Sequence, residues 1–207
     1  MTVFRFVRSI HLYLALFLAP WVLVYGLSTL FMNHMSFFQG FYGKDWGGSY
    51  VEKEMVYGKP LPVKEEPGGA SRIDAEAAGR QILRDLGMDG AYWADARRDG
   101  SRITVNRNDI IAPRQITYTP ADKQLVVKRQ TFQLPLFLRR LHTRRGYGSS
   151  YLADDVWAFV LDLLIVSILA WSVTGLWMWY KMKPTRRWGT LCAATGSVLF
   201  AVFLLAI

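Results

Sequence analysis

The sequence lacks several residue patterns that carry common chemistries. It has one cysteine in 207 residues, so the chain cannot form an internal disulfide. It has no glycine-rich nucleotide-binding motif, no zinc-protease motif and no nucleophile–base signature. Its formal net charge is +9, yet the basic residues form no stripe or nucleic-acid motif, and we expect no nucleic-acid partner. These absences argue against nucleotide-dependent, proteolytic and nucleic-acid-binding functions.

Long apolar runs are what the sequence has instead. Hydrophobic residues make up 52% of the chain and concentrate in runs at 12–32, 156–180 and 191–207. A helix needs about 20 residues to cross the hydrocarbon core, and the third run reaches that length when 188–190 are included. The pattern predicts three transmembrane helices. A cleaved signal peptide is the alternative for the first run, but no small-x-small cleavage site follows it.

Basic flanks predict the orientation of these helices. Arg5 and Arg8 precede the first helix, and four basic residues fill the link between the second and third: Lys181, Lys183, Arg186 and Arg187. The positive-inside rule places both groups in the cytoplasm. We therefore expect the N-terminus inside, and both residues 33–152 and the C-terminus outside.

The middle of the chain reads as a small α+β domain. Residues 36–70 are rich in Gly, Pro and aromatics and predict loop with one short strand. Ser71 is the expected N-cap of a helix that Gly87 ends. Strand patterns follow at 91–97, 102–106, 115–119 and 125–128. Residues 130–145 then predict an amphipathic helix at the membrane interface, which carries His142.

These patterns divide the chain into five segments. The predicted organisation is transmembrane helix one in 1–35, the α+β domain in 36–130, the interfacial segment in 131–152, helix two in 153–181, and the cytoplasmic link with helix three in 182–207. The α+β domain is thus inserted between helices one and two.

The three histidines are the main candidate site residues. His11, His34 and His142 are the only ones in the chain, and each stands at or near the end of an apolar segment. An imidazole at the rim of a bilayer is costly unless it has a partner, and imidazole is an axial ligand of haem iron. The placement predicts membrane redox chemistry with these side chains as metal ligands.

Helix geometry limits which histidines can share an iron. His11 and His34 are 23 positions apart, or ~34 Å along one helix, whereas two axial nitrogens lie only about 4 Å apart. His34 and His142 are both expected at the outer rim and can form a pair. His11 is alone on the inner side, so a second haem there requires another subunit, a different ligand or a five-coordinate iron.

Structural roles are the alternatives for the same residues. His34 can stabilise a helix C-terminus as a cation, His142 can be an interfacial side chain, and His11 lies among basic neighbours. The arginines can pair with haem propionates or with lipid phosphates; they are Arg8, Arg139, Arg140 and Arg144. Asp162, in the second apolar run, is either a proton relay or a carboxylate that reaches the outer interface.

Four motifs resemble a known family. They are Arg8-x-x-His11 at the start of helix one, Asn33-His34 at its end, Leu141-His142-Thr143 before helix two, and Leu169-x-x-x-x-Thr174-Gly175-Leu176-Trp177-x-Trp179 at the end of helix two. Together they resemble the PepSY-associated transmembrane proteins, and the central segment is similar to the periplasmic PepSY-type domain of that family.

The resemblance implies a location, a cofactor and an activity. Members are bacterial inner-membrane proteins, and some bind haem b through the motif histidines and reduce ferric siderophores in the periplasm. Carried over, His11, His34 and His142 become haem ligands. The chain departs from the family where Gly commonly follows the third His-Thr, since Arg144 stands there. It also has fewer helices and histidines than the better known reductases.

The sequence therefore predicts a membrane α-helical protein with a periplasmic PepSY-like α+β domain. The expected function is haem-b electron transfer to periplasmic iron, with ferric siderophores as the expected substrates. One or two haems are expected, and a homodimer would supply missing ligands. The alternative is a non-redox accessory or regulatory protein whose PepSY-type domain binds a periplasmic partner; an assembly or transport subunit for iron uptake is a further possibility.

Overall fold

A computed structural model describes residues 3–65, 71–88, 90–144, 146–147 and 151–207. Residues 66–70 of the predicted loop and position 145 of the predicted interfacial helix lie outside these ranges. The described residues form six α-helices: α1 (Val3–Asn33), α2 (Met35–Tyr42), α3 (Ala75–Asp85), α4 (Leu134–Thr143), α5 (Leu152–Lys181) and α6 (Arg186–Ala206).

Three of these helices are long and apolar enough to cross a membrane. They are α1, α5 and α6, at the places where the apolar runs predict them. Each helix begins before its apolar run does. In α5 the extra first turn carries Asp154 and Asp155, where carboxylates are favoured by the positive end of the helix dipole.

Within the described residues between α2 and α4, seven strands form two sheets. They are β1 (Ser49–Val56), β2 (Val63–Glu65), β3 (Ser71–Ile73), β4 (Tyr92–Ala96), β5 (Ile103–Arg107), β6 (Arg114–Thr119) and β7 (Gln124–Gln130). The larger sheet is antiparallel with the order β1-β7-β6-β5-β4, and β2 pairs with β3 in a separate ribbon. A small α+β region with a sheet is therefore present, as predicted.

The core of this region lies between α3 and one face of the larger sheet. Ile82 on α3 is fully buried, as are alternating residues of the central strands, namely Ile103, Val105, Ile116, Leu125 and Val127. Period-two burial on the strands and a single buried stripe on α3 are the patterns that the sequence shows. Removing these side chains from water is the main stabilising contribution to the domain.

The entry to the domain differs from the prediction. Ser71 is not the N-cap of α3, because it is still extended and pairs with Glu65 in the β2–β3 ribbon. Asp74 is the cap instead, and its carboxylate accepts a hydrogen bond from the Ala77 amide at 3.0 Å. The expected end is confirmed, since Gly87 follows α3 with φ +66°, a conformation that favours glycine.

The predicted loop contains more regular structure than the one short strand that the sequence predicts. Helix α2 occupies residues that the aromatic and glycine content assigned to loop, and β1 is a full edge strand of eight residues. Strand β1 is exposed along nearly all of its length, with a bulge between Val51 and Lys53. An edge strand of this kind shows no alternation of buried and exposed residues, which is the signal that sequence patterning needs.

Contacts between residues group the chain into two compact units. One unit contains Met1–Val24 with Val160–Ile207, and the other contains Tyr25–Phe159. The boundaries fall inside α1 and α5, and each unit is described by itself below.

Candidate functional site

His11 lies on α1, against α5 in the unit formed by the membrane helices. Its Nδ1 is 3.1 Å from the carbonyl oxygen of Trp171 and 3.0 Å from Oγ1 of Thr174. The imidazole is stacked on the Trp171 indole, with ring centroids 5.3 Å apart and planes at 11°. The side chain is therefore fixed by two polar contacts and one aromatic surface.

These contacts determine where the proton of His11 lies. A carbonyl oxygen can only accept a hydrogen bond, so the Trp171 contact requires a proton on Nδ1. The Thr174 hydroxyl is already directed at the carbonyls of Ala170 and Trp171, at 2.8 and 2.9 Å, and is free to accept from the imidazole. In the neutral ring, Nε2 then carries the lone pair.

Gly175 allows His11 to lie this close to α5. A Cβ at position 175 would be 3.1 Å from Cε1 of His11, which is tighter than an ordinary van der Waals contact. Small residues permit close approach in membrane helices because they remove the side chain that would separate the two helices.

His142 lies on α4 in the other unit and is partly buried. Its Nδ1 is 2.7 Å from Oγ of Ser28, and its ring is 5.2 Å from the ring of Tyr25 at 54°. Ser28 is only 1% exposed, and its hydroxyl is also 2.7 Å from the carbonyl oxygen of Tyr25. When Ser28 donates to this carbonyl, its oxygen accepts from Nδ1 of His142, and Nε2 again carries the lone pair.

Two side chains fix α4 to the α+β region. Gln133, just before α4, is 3% exposed; its amide oxygen accepts from the Gly47 amide at 3.0 Å, and its amide nitrogen donates to the Asp45 carbonyl at 2.6 Å. Arg140 donates from Nε to the Ile110 carbonyl at 3.0 Å and from Nη1 to Oε1 of Gln130 at 2.5 Å. His142 is thus positioned by the fold of the domain.

The guanidinium of Arg140 is used for this docking. Burial lowers the pKa of Arg140, and neighbouring Arg139 lowers it further. Both of its hydrogen-bond acceptors are neutral, and within the described part of the chain its Nη2 has no hydrogen-bond partner. Of the other three arginines predicted to bind haem propionates or lipid phosphates, Arg8 and Arg139 are exposed and Arg144 is partly buried.

An ion pair joins the end of α4 to the start of α5. Arg144, at the C-cap of α4, donates from Nη2 to the Asp154 carboxylate in the first turn of α5. Asp154 is 6% exposed, and a carboxylate this buried needs such a partner. After Gln133 and Arg140, this ion pair is the third side-chain contact that fixes α4, the helix that carries His142.

His34 lies at the junction of α1 and α2 and is exposed. It occupies the N-cap position of α2 without a side-chain capping bond. In the described residues, no hydrogen bond or ring contact joins it to His142, whose contacts are with Tyr25 and Ser28 about two turns earlier on α1. The shared iron of His34 and His142 stays a prediction. Asp162, on α5, is exposed, and its predicted role also stays open.

Sequence reasoning missed the partners of the histidines. Ser28 and Thr174 are hydroxyls inside long apolar helices, and Tyr25 and Trp171 supply the aromatic surfaces. Hydroxyl residues in membrane helices commonly bond across to a neighbouring helix. That rule is a signal for Ser28 and Thr174, but it does not identify which histidine each one meets.

The donor set suits haem iron, which takes most of its ligands from the porphyrin and few from the protein. The described residues contain no group of three or more His, Cys, Asp or Glu side chains placed to hold a bare metal ion. Haem iron requires only one or two axial ligands from the protein, and His11 and His142 each present one imidazole of the required tautomer. Comparison with known proteins adds no relative, since no family model, curated protein or solved structure matches the chain.

Proposed function

We propose that the chain is a haem-b electron-transfer protein of the bacterial inner membrane, which reduces ferric siderophores or other periplasmic iron. The observation that carries this proposal is the hydrogen bonding of two imidazoles. His11 and His142 each engage Nδ1 with protein acceptors, and neither Nε2 has a hydrogen-bond partner among the described residues. Metal-binding histidines have this arrangement, because the second hydrogen bond orients the ring and raises its basicity.

The residues divide between two binding positions in this proposal. His142 and His34 are the ligands at the outer side, and His11 is the ligand at the inner side. Haem supplies a one-electron couple within reach of both membrane surfaces. The chain's own residues orient the imidazoles, while Arg8, which is exposed, is available for propionates.

Two further parts of the proposal follow from the four family-like motifs. The α+β region is a periplasmic PepSY-type domain, and its position next to the outer haem allows it to receive a ferric complex. A homodimer, with His11 facing His11 across a two-fold axis, completes the inner coordination without another ligand from the chain.

An absorption spectrum tests the proposal. The full chain is expressed with haem supply, purified in detergent, and examined oxidised and after dithionite reduction. We expect a low-spin b-type spectrum with a Soret band in proportion to protein. A folded protein without a Soret band would contradict the haem function.

Reporter fusions test the proposed orientation. An insertion in the turn at Gly100 should be active as a periplasmic reporter, and one in the link around Lys183 should be active as a cytoplasmic reporter. The reverse pattern would place the α+β region in the cytoplasm and remove its access to periplasmic iron.

One observation favours the non-redox alternative. Trp93 lies on β4, an edge strand of the larger sheet, and is 59% exposed. An exposed Trp beside unpaired strand edges suits the docking of another protein. Failure to bind haem, together with a defined loss of partner binding in Trp93→Ala, would favour an accessory protein.

A further inference from the structure

We infer that Ser28 and Thr174 are positioning residues, whose hydroxyls hold His142 and His11 with Nδ1 protonated so that Nε2 faces the iron. The inference rests on the proposed haem function and gives a role to two residues: Ser28, which lies outside the four motifs, and Thr174, which belongs to the fourth motif without an assigned role. Neither hydroxyl touches the iron; each acts through its histidine.

The argument at His142 starts from the burial of Ser28. Its hydroxyl has one proton and two neighbours at 2.7 Å, the Tyr25 carbonyl and Nδ1 of His142. The carbonyl cannot donate, so the arrangement that satisfies all three groups has Ser28 donating to Tyr25 and His142 donating to Ser28. At 1% exposure, water does not replace either bond.

The argument at His11 has one more acceptor. Nδ1 lies between Thr174 Oγ1 and the Trp171 carbonyl, at 3.0 and 3.1 Å. The carbonyl alone already requires a proton on Nδ1. Nδ1 of His11 therefore has two acceptors, Thr174 and the Trp171 carbonyl. His142 differs, because Ser28 is its sole hydrogen-bond partner among the described residues.

This difference predicts unequal effects. Loss of the Ser28 hydroxyl leaves Nδ1 of His142 without an acceptor. The imidazole of His142 is then both less firmly oriented and less basic. Loss of such an outer hydrogen bond typically weakens metal affinity by about ten- to a hundredfold. Loss of the Thr174 hydroxyl leaves the Trp171 carbonyl in place, and its effect should be smaller.

The experiment compares five variants of the whole haem-loaded chain. Ser28→Ala and Thr174→Val remove the hydroxyls, and Ser28→Thr and Thr174→Ser keep them. Thr29→Ala is the matched control, because Thr29 donates to the same Tyr25 carbonyl at 2.9 Å and is exposed, without contacting His142. Haem affinity, the low-spin electron paramagnetic resonance signal and the midpoint potential are measured for each.

We expect Ser28→Ala to weaken haem binding at the His142 site about ten- to a hundredfold. It should also change the low-spin resonance signal of that site and raise its midpoint potential. Ser28→Thr should restore both, Thr174→Val should shift the His11 site less, and Thr29→Ala should change neither. The signal of the unaltered site in the same sample reports correct folding. Unchanged affinity, signal and potential in Ser28→Ala would overturn the inference while leaving the haem function intact, whereas absence of haem from the unmodified protein would overturn both.

Discussion

The two imidazole sites use the same contact in different structural settings. His11 is held by α5, through one carbonyl, one hydroxyl and one indole. His142 is on a helix of ten residues, held by one hydroxyl of α1, and that short helix is fixed by side chains of the α+β region. The first site depends on the packing of long helices, and the second depends also on the folded domain.

Removal of each histidine should produce the largest effects. We expect His142→Ala to lose the outer haem and His11→Ala to lose the inner haem, because each variant removes an axial ligand. His142→Ala should retain about one third of the haem and His11→Ala about two thirds, since in the proposed dimer each chain would hold one outer haem and the two chains would share one inner haem. Haem per protein and the oxidised and reduced spectra measure the outcome.

The same variants test the dimer. His11→Ala should also weaken self-association, which sedimentation in detergent would detect, while His142→Ala should not. A monomeric unmodified protein with two full haems would show that the inner iron has another second ligand. Equal haem loss in both variants would remove the distinction between the sites.

His34→Ala tests whether the outer iron has two histidine ligands. His34 is exposed and contacts neither Ser28 nor His142 in the described structure, so its substitution should leave the fold intact. If it completes the outer coordination, the variant retains haem through His142, but the iron becomes high-spin. The neighbouring Asn33→Ala is the control. An unchanged low-spin spectrum in His34→Ala would show that His142 pairs with another ligand.

Arg140→Met tests the dependence of His142 on the domain. The variant keeps much of the side-chain volume but loses the bonds to Ile110 and Gln130, at a cost of about 2 kcal/mol for a charged donor. We expect weaker haem binding at the His142 site and none of this effect at the His11 site, measured by haem titration.

Arg139→Met is the matched control for that experiment. Arg139 is the adjacent residue and is exposed, so its loss should not loosen α4. If Arg139→Met weakens haem binding as much as Arg140→Met, both arginines act by charge, and the docking role of Arg140 would be wrong.

Gly175→Ala should give the smallest effect and act only at the His11 site. The added methyl would meet Cε1 of His11 at 3.1 Å, and the imidazole must move by a few tenths of an ångström. Gly26→Ala is the control, because its Cβ would have no neighbour within 4 Å. We expect a change in the low-spin resonance signal of the inner haem in Gly175→Ala alone. Identical signals in both variants would mean that the ring does not lie against α5.

The membrane helices and the central strands could be predicted because their signals are local. Apolar length identifies α1, α5 and α6, and alternation identifies β5 and β6. Ser71 and Asp74 are both residue types that cap helices, so the sequence does not distinguish them. Only the pairing of Ser71 with Glu65 excludes Ser71 as the N-cap of α3. The full length of strand β1 could not be predicted, because its partner β7 is distant in sequence (Ser49 pairs with Gln130 and Val56 with Gln124) and because its side chains are exposed.

The candidate site shows the same limit more sharply. The histidines stand out by their rarity and position. Their partners do not, because Ser28 and His142 are 114 positions apart and Thr174 and His11 are 163 apart. A hydroxyl in an apolar helix indicates that some polar contact exists, and the partner is determined only when the helices pack.

The first and last residues of the sheet domain lie next to each other. Ser49 of β1 pairs with Gln130 of β7, and just outside them the Thr131 amide donates to the Gly48 carbonyl at 2.9 Å. A segment whose two ends already touch can be cut out and closed by a minimal turn, or exchanged for another segment with touching ends. The same membrane helices can therefore carry different extramembrane modules over evolutionary time, with little need to change the helices themselves.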